Sequence, residues 1–324
     1  MAEASRPAEG LPIAVLTGFL GSGKTTFLRR ALASPGMGDT AVIINEFGDV
    51  GLDHLLLEAA PDEVVRLPSG CLCCAVRQDL VRTLYRLLAR RSDGDLPPFR
   101  RIVIETSGLA EPAPILYTLA ADAHLEKALR FAAVLTLVDA VAGLATLDRY
   151  AEATAQAAVA DRLLLSKTDL AAPPPALIER LAALNPNAEM TDAADPAHAL
   201  FGPVTQARSH SRLFAAAATH THGIGSFAIA LRREMSRLDF ARALGGLARD
   251  RGDDLLRVKG IVAFADRPDR PAAIHAVQHT LYPPDWLDAW PDAERLGRLV
   301  FITRAITCED VLARFAHGDP IRRQ

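Results

Sequence analysis

Short apolar runs rich in β-branched residues punctuate the first half of the chain. They lie at 13–17 (IAVLT), 41–45 (AVIIN), 63–67 (EVVRL), 101–105 (RIVIE), 133–138 (AVLTLV) and 162–166 (RLLLS). Most are continuous rather than alternating, as expected of strands buried on both faces. Between them, apolar residues recur three and four apart at 24–33, 76–91, 113–120, 151–160 and 175–184, which predicts helices. Strands alternating with helices predict an α/β domain: a mostly parallel sheet in three layers, with right-handed crossovers.

The pattern changes near residue 190. Residues 191–225 are small, polar and irregular, and read as a linker. Beyond them, 226–232, 256–264, 273–281 and 298–304 read as strands, and 239–250 and 308–316 as helices. This predicts a small α+β domain with an open sheet. The polar opening MAEASRPAEG reads as a disordered tail. The expected organisation is a tail at 1–10, an α/β domain at 11–190, a linker at 191–225 and a second domain at 226–318. A chain of 324 residues accommodates it, at roughly 100–200 residues per domain.

Composition narrows the classes. Half the residues are apolar and 23% charged, enough for a core without disulfides. A net charge of −3 argues against a general nucleic-acid coat or a polybasic membrane binder. The most apolar stretch, 131–147, is short and contains Asp139, so it reads as a buried strand and its exit rather than a membrane span. No secretory signal is visible, and the expected location is the cytoplasm. Of four cysteines, three crowd into 71–74, a spacing that suggests metal or redox chemistry in a reducing compartment.

Residues 18–25 read GFLGSGKT, a complete G-x-x-x-x-G-K-[ST] phosphate loop between a strand and a helix. Gly18, Gly21 and Gly23 let the backbone curl so that its N–H groups point at phosphate oxygens. Lys24 is placed to hold the β- and γ-phosphates, and the Thr25 hydroxyl to ligate Mg²⁺. Residues 105–108 (ETSG) follow a strand where GTPases carry D-x-x-G; there Glu105 holds Mg²⁺ through a water and the Gly108 amide meets the γ-phosphate. The alternative is a capped strand-to-helix turn. Residues 166–169 (SKTD) end another apolar strand, where [NT]-K-x-D reads the base. An aspartate there accepts from guanine N1–H and N2–H together, a contact adenine cannot offer. Ser166 stands in place of the usual asparagine but can still hydrogen-bond the phosphate loop; a polar strand-end turn is the alternative.

In GCLCC at 70–74, Cys71, Cys73 and Cys74 can reach one soft ion such as Zn²⁺ or Cu⁺. Taken alone, the spacing is equally compatible with buried or redox cysteines. His220 and His222 read as incidental in a solvated stretch, as does His210, and His54 and His124 as ordinary surface or core histidines. Cys308, beside Glu309 and Asp310, reads as structural. Trp286 and Trp290 read as a loop packed on the small sheet rather than a partner surface.

The ordered set GFLGSGKTT, IINEFGDVGLD (43–53), GCLCC, ETSGLAEP (105–112) and SKTDL resembles the CobW-type metallochaperone GTPases. LNPNAEM at 184–190, LLRVKGIVAF at 255–264 and RLVFI at 298–302 extend the resemblance over roughly residues 11–316. It implies a P-loop GTPase domain followed by a small α+β domain, and a GTP-driven carrier of zinc, or of cobalt in the cobalamin-linked members. It is similar to the GTPases that insert nickel into hydrogenase and urease. The resemblance places phosphate binding on Gly21, Ser22, Gly23, Lys24, Thr25 and Thr26, base reading on Lys167 and Asp169, and metal binding on Cys71, Cys73 and Cys74. Segment 45–53 becomes the first switch, with Glu46 and Asp49 as candidates to contact Mg²⁺ or the carried metal. The expected function is slow GTP hydrolysis coupled to delivery of the ion to a client metalloprotein. A GTP-dependent metal sensor that passes on no ion is the runner-up; a kinase is disfavoured by SKTD.

Overall fold

The computed structural model describes residues 10–45, 64–66, 74–202, 218–219, 221–291, 295–315 and 318–320. In chain order the elements begin β1 (Leu11–Gly18), α1 (Lys24–Leu32), β2 (Thr40–Asn45), β3 (Val64–Arg66), α2 (Cys74–Ser92) and β4 (Arg101–Thr106). There follow α3 (Ala113–Ala121), α4 (Ala123–Ala128), β5 (Leu129–Asp139), α5 (Gly143–Arg149), α6 (Ala151–Ala158), β6 (Arg162–Ser166), α7 (Pro175–Leu184), β7 (Glu189–Asp192) and α8 (Pro196–Phe201). The second half holds β8 (Ala218–Thr219), β9 (Ile224–Leu231), α9 (Arg237–Arg251), β10 (Arg257–Phe264), β11 (Arg267–Val277), β12 (Thr280–Leu281), β13 (Asp285–Trp286), β14 (Gly297–Arg304), α10 (Cys308–Leu312) and β15 (Gly318–Pro320).

Two compact units form. The first takes the chain up to Val141, with Ala160–Ala172 and the stretch from Met190 through α8. Its seven-stranded sheet has the order β3-β2-β4-β1-β5-β6-β7, and the strands from β3 to β6 pair in parallel. Ala14, Leu16, Val103, Leu135 and Leu164 form a core with Phe27 and Leu28 of α1 and Leu200 of α8. The alternate residues Ile13, Val15, Ile102, Ile104 and Val134 are equally buried, which is why these strands read as continuous apolar runs. α2 buries Leu80, Leu84 and Leu87 at helical spacing.

The stretch from 191 reads as irregular, yet it carries α8. Asp195 caps it by accepting from the His198 amide, and Pro196 occupies its first turn. With six residues the helix is too short for periodicity to reveal it. Arg162, fully buried, holds its far end by donating to the carbonyls of His198, Ala199 and Gly202 at 3.3, 2.5 and 2.8 Å. The last carbonyls of a helix lack a full set of intrahelical partners, and the guanidinium adds to the Gly202 amide, which itself donates to His198 O at 2.8 Å.

The second unit takes 142–159, 173–189 and the C-terminal half. Its sheet has the order β12-β11-β10-β14-β9-β15, with β13 on β11 and β8 on β9, in antiparallel pairs. One face packs Phe227, Val258, Ile274, Leu299 and Phe301 with Phe240, Leu244 and Leu247 of α9 and Phe315. Phe227 and Phe301 stack at 5.4 Å, and Phe240 meets Phe264 edge-on at 5.4 Å. Helices α5–α7 belong to this unit. The Ser226 hydroxyl donates to Ala183 O at 2.8 Å, the Asn185 amide to Ala157 O and Ala158 O, and the Arg257 guanidinium to Val159 O.

β11 starts at Arg267, well before the expected 273, because its first four residues are exposed and polar. Gln278, at φ 49°, turns the chain and separates β12 from β11. Trp286 packs against Phe264, and the Arg237 and Arg267 guanidinium groups lie over its ring, 4.7 and 4.9 Å from its centre. The Trp290 indole donates to Pro268 O at 3.2 Å. Both tryptophans therefore pack within the unit. Cys308 packs against the core, where burial, and then Glu309, push its thiol pKa up and keep it protonated.

A Cβ on Gly260 would lie 2.0 Å from Arg298 O and 2.8 Å from Leu299 Cα, in the middle of two strand pairings. Gly260→Ala is expected to destabilise the second unit by about 3 kcal/mol or more. Gly245→Ala, in α9 with open space around the added methyl, is expected to be neutral or to stabilise by about 0.5–1 kcal/mol. Urea denaturation followed by far-ultraviolet circular dichroism separates the two outcomes.

Candidate nucleotide site

A parallel sheet brings the C-terminal ends of its strands to one edge, and the candidate site is assembled there. β1 ends at Gly18 with φ +144°, and a Cβ there would lie 2.5 Å from Leu137 O. Gly23, at φ 91°, opens α1 in the left-handed region. No side chain caps α1, and its first turn holds no acidic residue. A helix start of this kind, without a capping side chain or an acidic residue, suits an anion, in line with the positive end of the helix dipole. The Lys24 ammonium is drawn over the loop by the carbonyls of Gly18 and Phe19, at 2.8 and 3.2 Å. Ser22 is buried, Thr25 half-buried and Thr26 exposed.

The loop after β4 lies directly on the phosphate loop. The Thr25 hydroxyl donates to Glu105 Oε1 at 2.8 Å, and Thr106 donates to Thr17 Oγ1 at 2.8 Å. A Cβ on Gly108 would sit 2.7 Å from Leu20 N and 2.9 Å from Leu20 Cα, so only glycine fits this approach. Glu105, Thr106, Ser107 and Gly108 are all buried. Three of them are polar side chains, an unusual content for a strand end unless it serves a site.

The element after β6 joins from the other side. The Ser166 hydroxyl donates to Ser22 O at 2.7 Å, which ties the 166–169 segment to the phosphate loop. Lys167 has φ 59°, and its ammonium pairs with Asp139 Oδ2 at 2.6 Å. Asp169 is exposed. Asp139 is the contributor that sequence reading missed, having registered it only as a charge inside an apolar stretch. Its meeting with Lys167 depends on β5 and β6 being neighbours with Asp139 opposite Ser166.

Glu46, Asp49, Cys71 and Cys73 lie outside the described residues, as do His54, His210 and His220. Cys74 opens α2, and nothing of its side chain is described. Among the described residues no group of three or more His, Cys, Asp and Glu side chains is gathered as for a metal. His124 is exposed, edge-on to Tyr85 at 6.2 Å, and His222 is exposed. The Tyr85 hydroxyl donates to Asp122 at 2.7 Å and lowers that carboxyl's pKa, with help from the Leu125 amide; Tyr85 itself is raised.

Residues 12–192 match the family model of the CobW/HypB/UreG nucleotide-binding domain, and 224–318 that of the cobalamin synthesis protein CobW C-terminal domain. The chain belongs to the CobW family. By family and fold it is a P-loop GTPase, and its α/β sheet followed by an antiparallel-sheet domain is the family's architecture. It is 34% identical to the zinc chaperone YjiA of Escherichia coli K12 over 315 residues, 94% of this chain and 98% of the relative. It is 33% identical to zinc-regulated GTPase metalloprotein activator 1 of Schizosaccharomyces pombe, over 49% of this chain and 39% of that protein. Among solved structures, the Zn(II)-bound YjiA GTPase from E. coli aligns with a TM-score of 0.66 and 25% identity, over 97% of this chain and all of that one. Among the described residues no helix is long and apolar enough to cross a membrane.

Ser166→Ala removes the link between the 166–169 segment and the phosphate loop. GTP and GDP are both expected to bind about fivefold more weakly, corresponding to one ordinary hydrogen bond of about 1 kcal/mol. Isothermal titration calorimetry reads the change; unaltered affinities would make the bond incidental.

Proposed function

We propose that this GTPase is a cytoplasmic zinc chaperone, which takes up Zn²⁺ in its GTP-bound state and gives it to a client metalloprotein on hydrolysis. The observation that carries this reading is the near full-length likeness to the zinc chaperone YjiA. The phosphate loop, the ETSG loop and the SKTD segment, bonded to one another at a single sheet edge, support it.

In this reading Gly21, Ser22, Gly23, Lys24, Thr25 and Thr26 hold the phosphates, with the Lys24 ammonium placed on the β- and γ-oxygens. Lys167 and Asp169 read the guanine. The touching oxygens of Thr25 and Glu105 form a hard donor pair that fits Mg²⁺. Mg²⁺, when bound, neutralises charge across the β- and γ-phosphates. The Gly108 amide answers to the γ-phosphate, so the ETSG loop senses whether that group is present.

Zinc is the cargo. Cys71, Cys73 and Cys74 supply soft thiolates that favour it over Mg²⁺ or Ca²⁺, and they leave a coordination position open for transfer. Glu46 and Asp49, in the first switch upstream of the cysteines, are further candidate contacts. The cysteine segment lies between the first switch and the ETSG loop along the chain, so ordering of both by GTP gathers the thiolates. Loss of the γ-phosphate loosens them and frees the ion. Cobalt suits the same thiolates and is the competing cargo.

The test is a Zn²⁺ titration with Mg²⁺ present and either GTP or GDP, on the wild type and on Cys73→Ser, Cys74→Ser, repeated with Co²⁺. Zinc affinity is expected to be at least tenfold tighter with GTP, a difference of about 1.4 kcal/mol, and lost in the variant. Equal affinity in the two nucleotide states overturns the gating. Survival of binding in the variant moves the metal site away from the cysteines.

A further inference from the structure

We propose that Asp139 is the positioning residue of the base-reading element: by pairing with Lys167 it holds the 166–169 segment ready for guanine. The proposal rests on the reading that Asp169 recognises the base.

Lys167 carries its side chain at φ 59°, in the left-handed region that residues other than glycine seldom occupy. Such a conformation persists where its surroundings over-determine it. Asp139 supplies much of that determination. It ends β5 directly opposite Ser166, and the Ala140 amide donates to Ser166 O at 2.9 Å. Its Oδ2 accepts from the Lys167 ammonium at 2.6 Å, while its Oδ1 accepts from the Val141 amide at 2.8 Å. One carboxylate thus fixes the exit of β5 and the exit of β6 together. Beyond Lys167 the turn closes on that residue's carbonyl, which accepts from the amides of Leu170 and Ala171. Asp169 lies inside this turn.

The pair is unlike an ordinary surface ion pair. The Asp139 side chain is 14% exposed and that of Lys167 36%, so solvent screens the contact only in part. A free lysine gives up much rotamer freedom when it is fixed. Here Asp139 has already fixed it, so the nucleotide does not bear that cost on binding. The effect of Asp139 is therefore expected in nucleotide affinity and base choice rather than in the hydrolytic step.

Asp139→Asn keeps the side-chain shape and the acceptor for Val141 but removes the charge. GTP KM and GDP Kd are expected to rise about tenfold, kcat to stay within about twofold, and preference for GTP over ATP to fall. Lys167→Gln, which removes the ion pair together with the lysine's own contact with the base, should weaken GTP binding at least as much, and the double variant should be no worse than Lys167→Gln alone. A purely structural role would instead lower the melting temperature without that non-additivity. Asp139→Asn with unchanged GTP affinity overturns the proposal, as do effects that multiply in the double variant. The base reading has its own control. Asp169→Asn replaces an acceptor with a donor and should shift preference from GTP to XTP. If that shift fails, the base reading falls; if it occurs while Asp139→Asn is inert, only the role of Asp139 falls.

Discussion

Everything the first unit does depends on parallel strand pairing. Parallel strands deliver their C-terminal ends to a common edge, and here β1, β4, β5 and β6 are neighbours there. Residues far apart in sequence therefore meet: Thr25 with Glu105, Ser22 with Ser166, and Asp139 with Lys167. Each contact is a single polar bond worth little by itself. Together they tie these loops to one another and to the phosphate loop. The apolar interior of the sheet is what makes these ties possible, because it fixes register, and register decides which strand-end residues face one another. A one-residue slip between β5 and β6 would separate Asp139 from Ser166 and dissolve the arrangement around Lys167.

Strand burial and glycine geometry explain what was legible in the sequence. Strands β1, β2, β4, β5 and β6 announced themselves as apolar runs because residues on both their faces are buried. The phosphate loop was legible because only glycine meets its positive φ values, and Gly108 because only glycine tolerates Leu20 so close. The partnerships across the sheet were not legible, since they require the strand order. Asp139 is the clearest case: in the sequence it interrupts an apolar stretch, and its role exists only once β6 lies beside β5. Arg162 is another, a charge at a strand start that turns out to be buried as the cap of α8. The exposed start of β11, which carries no apolar run, and α8, too short at six residues to show a period, were also hidden.

The division into units follows packing rather than chain order. The nucleotide-binding family match runs through residue 192, yet α5, α6 and α7 are packed in the second unit. Their attachments are specific: Ser226 in β9 bonds the end of α7, and Arg257 in β10 bonds the carbonyl that follows α6. The chain leaves the first unit just after the strand-end residues of the site, at Val141 and again at Ala172. The loops that carry Asp139 and Asp169 are thus continuous in the backbone with helices of the other unit.

Thermodynamic linkage sets the terms on which a nucleotide can govern a metal. A nucleotide shifts a metal equilibrium only by the difference in affinity between its two states. If GTP tightens zinc tenfold, zinc must tighten GTP tenfold, because the coupling free energy is shared. A loaded chaperone then resists losing its nucleotide, and an empty one exchanges it freely. Hydrolysis breaks that symmetry by removing the γ-phosphate without requiring the nucleotide to leave. On the proposed reading, Ser166 and Asp139 keep the 166–169 segment bonded in place when the γ-phosphate goes, so the change falls on the loop that met it. The ion can then be released while GDP remains in place. This makes the direction of transfer depend on chemistry at one phosphate rather than on the relative abundance of metal and client.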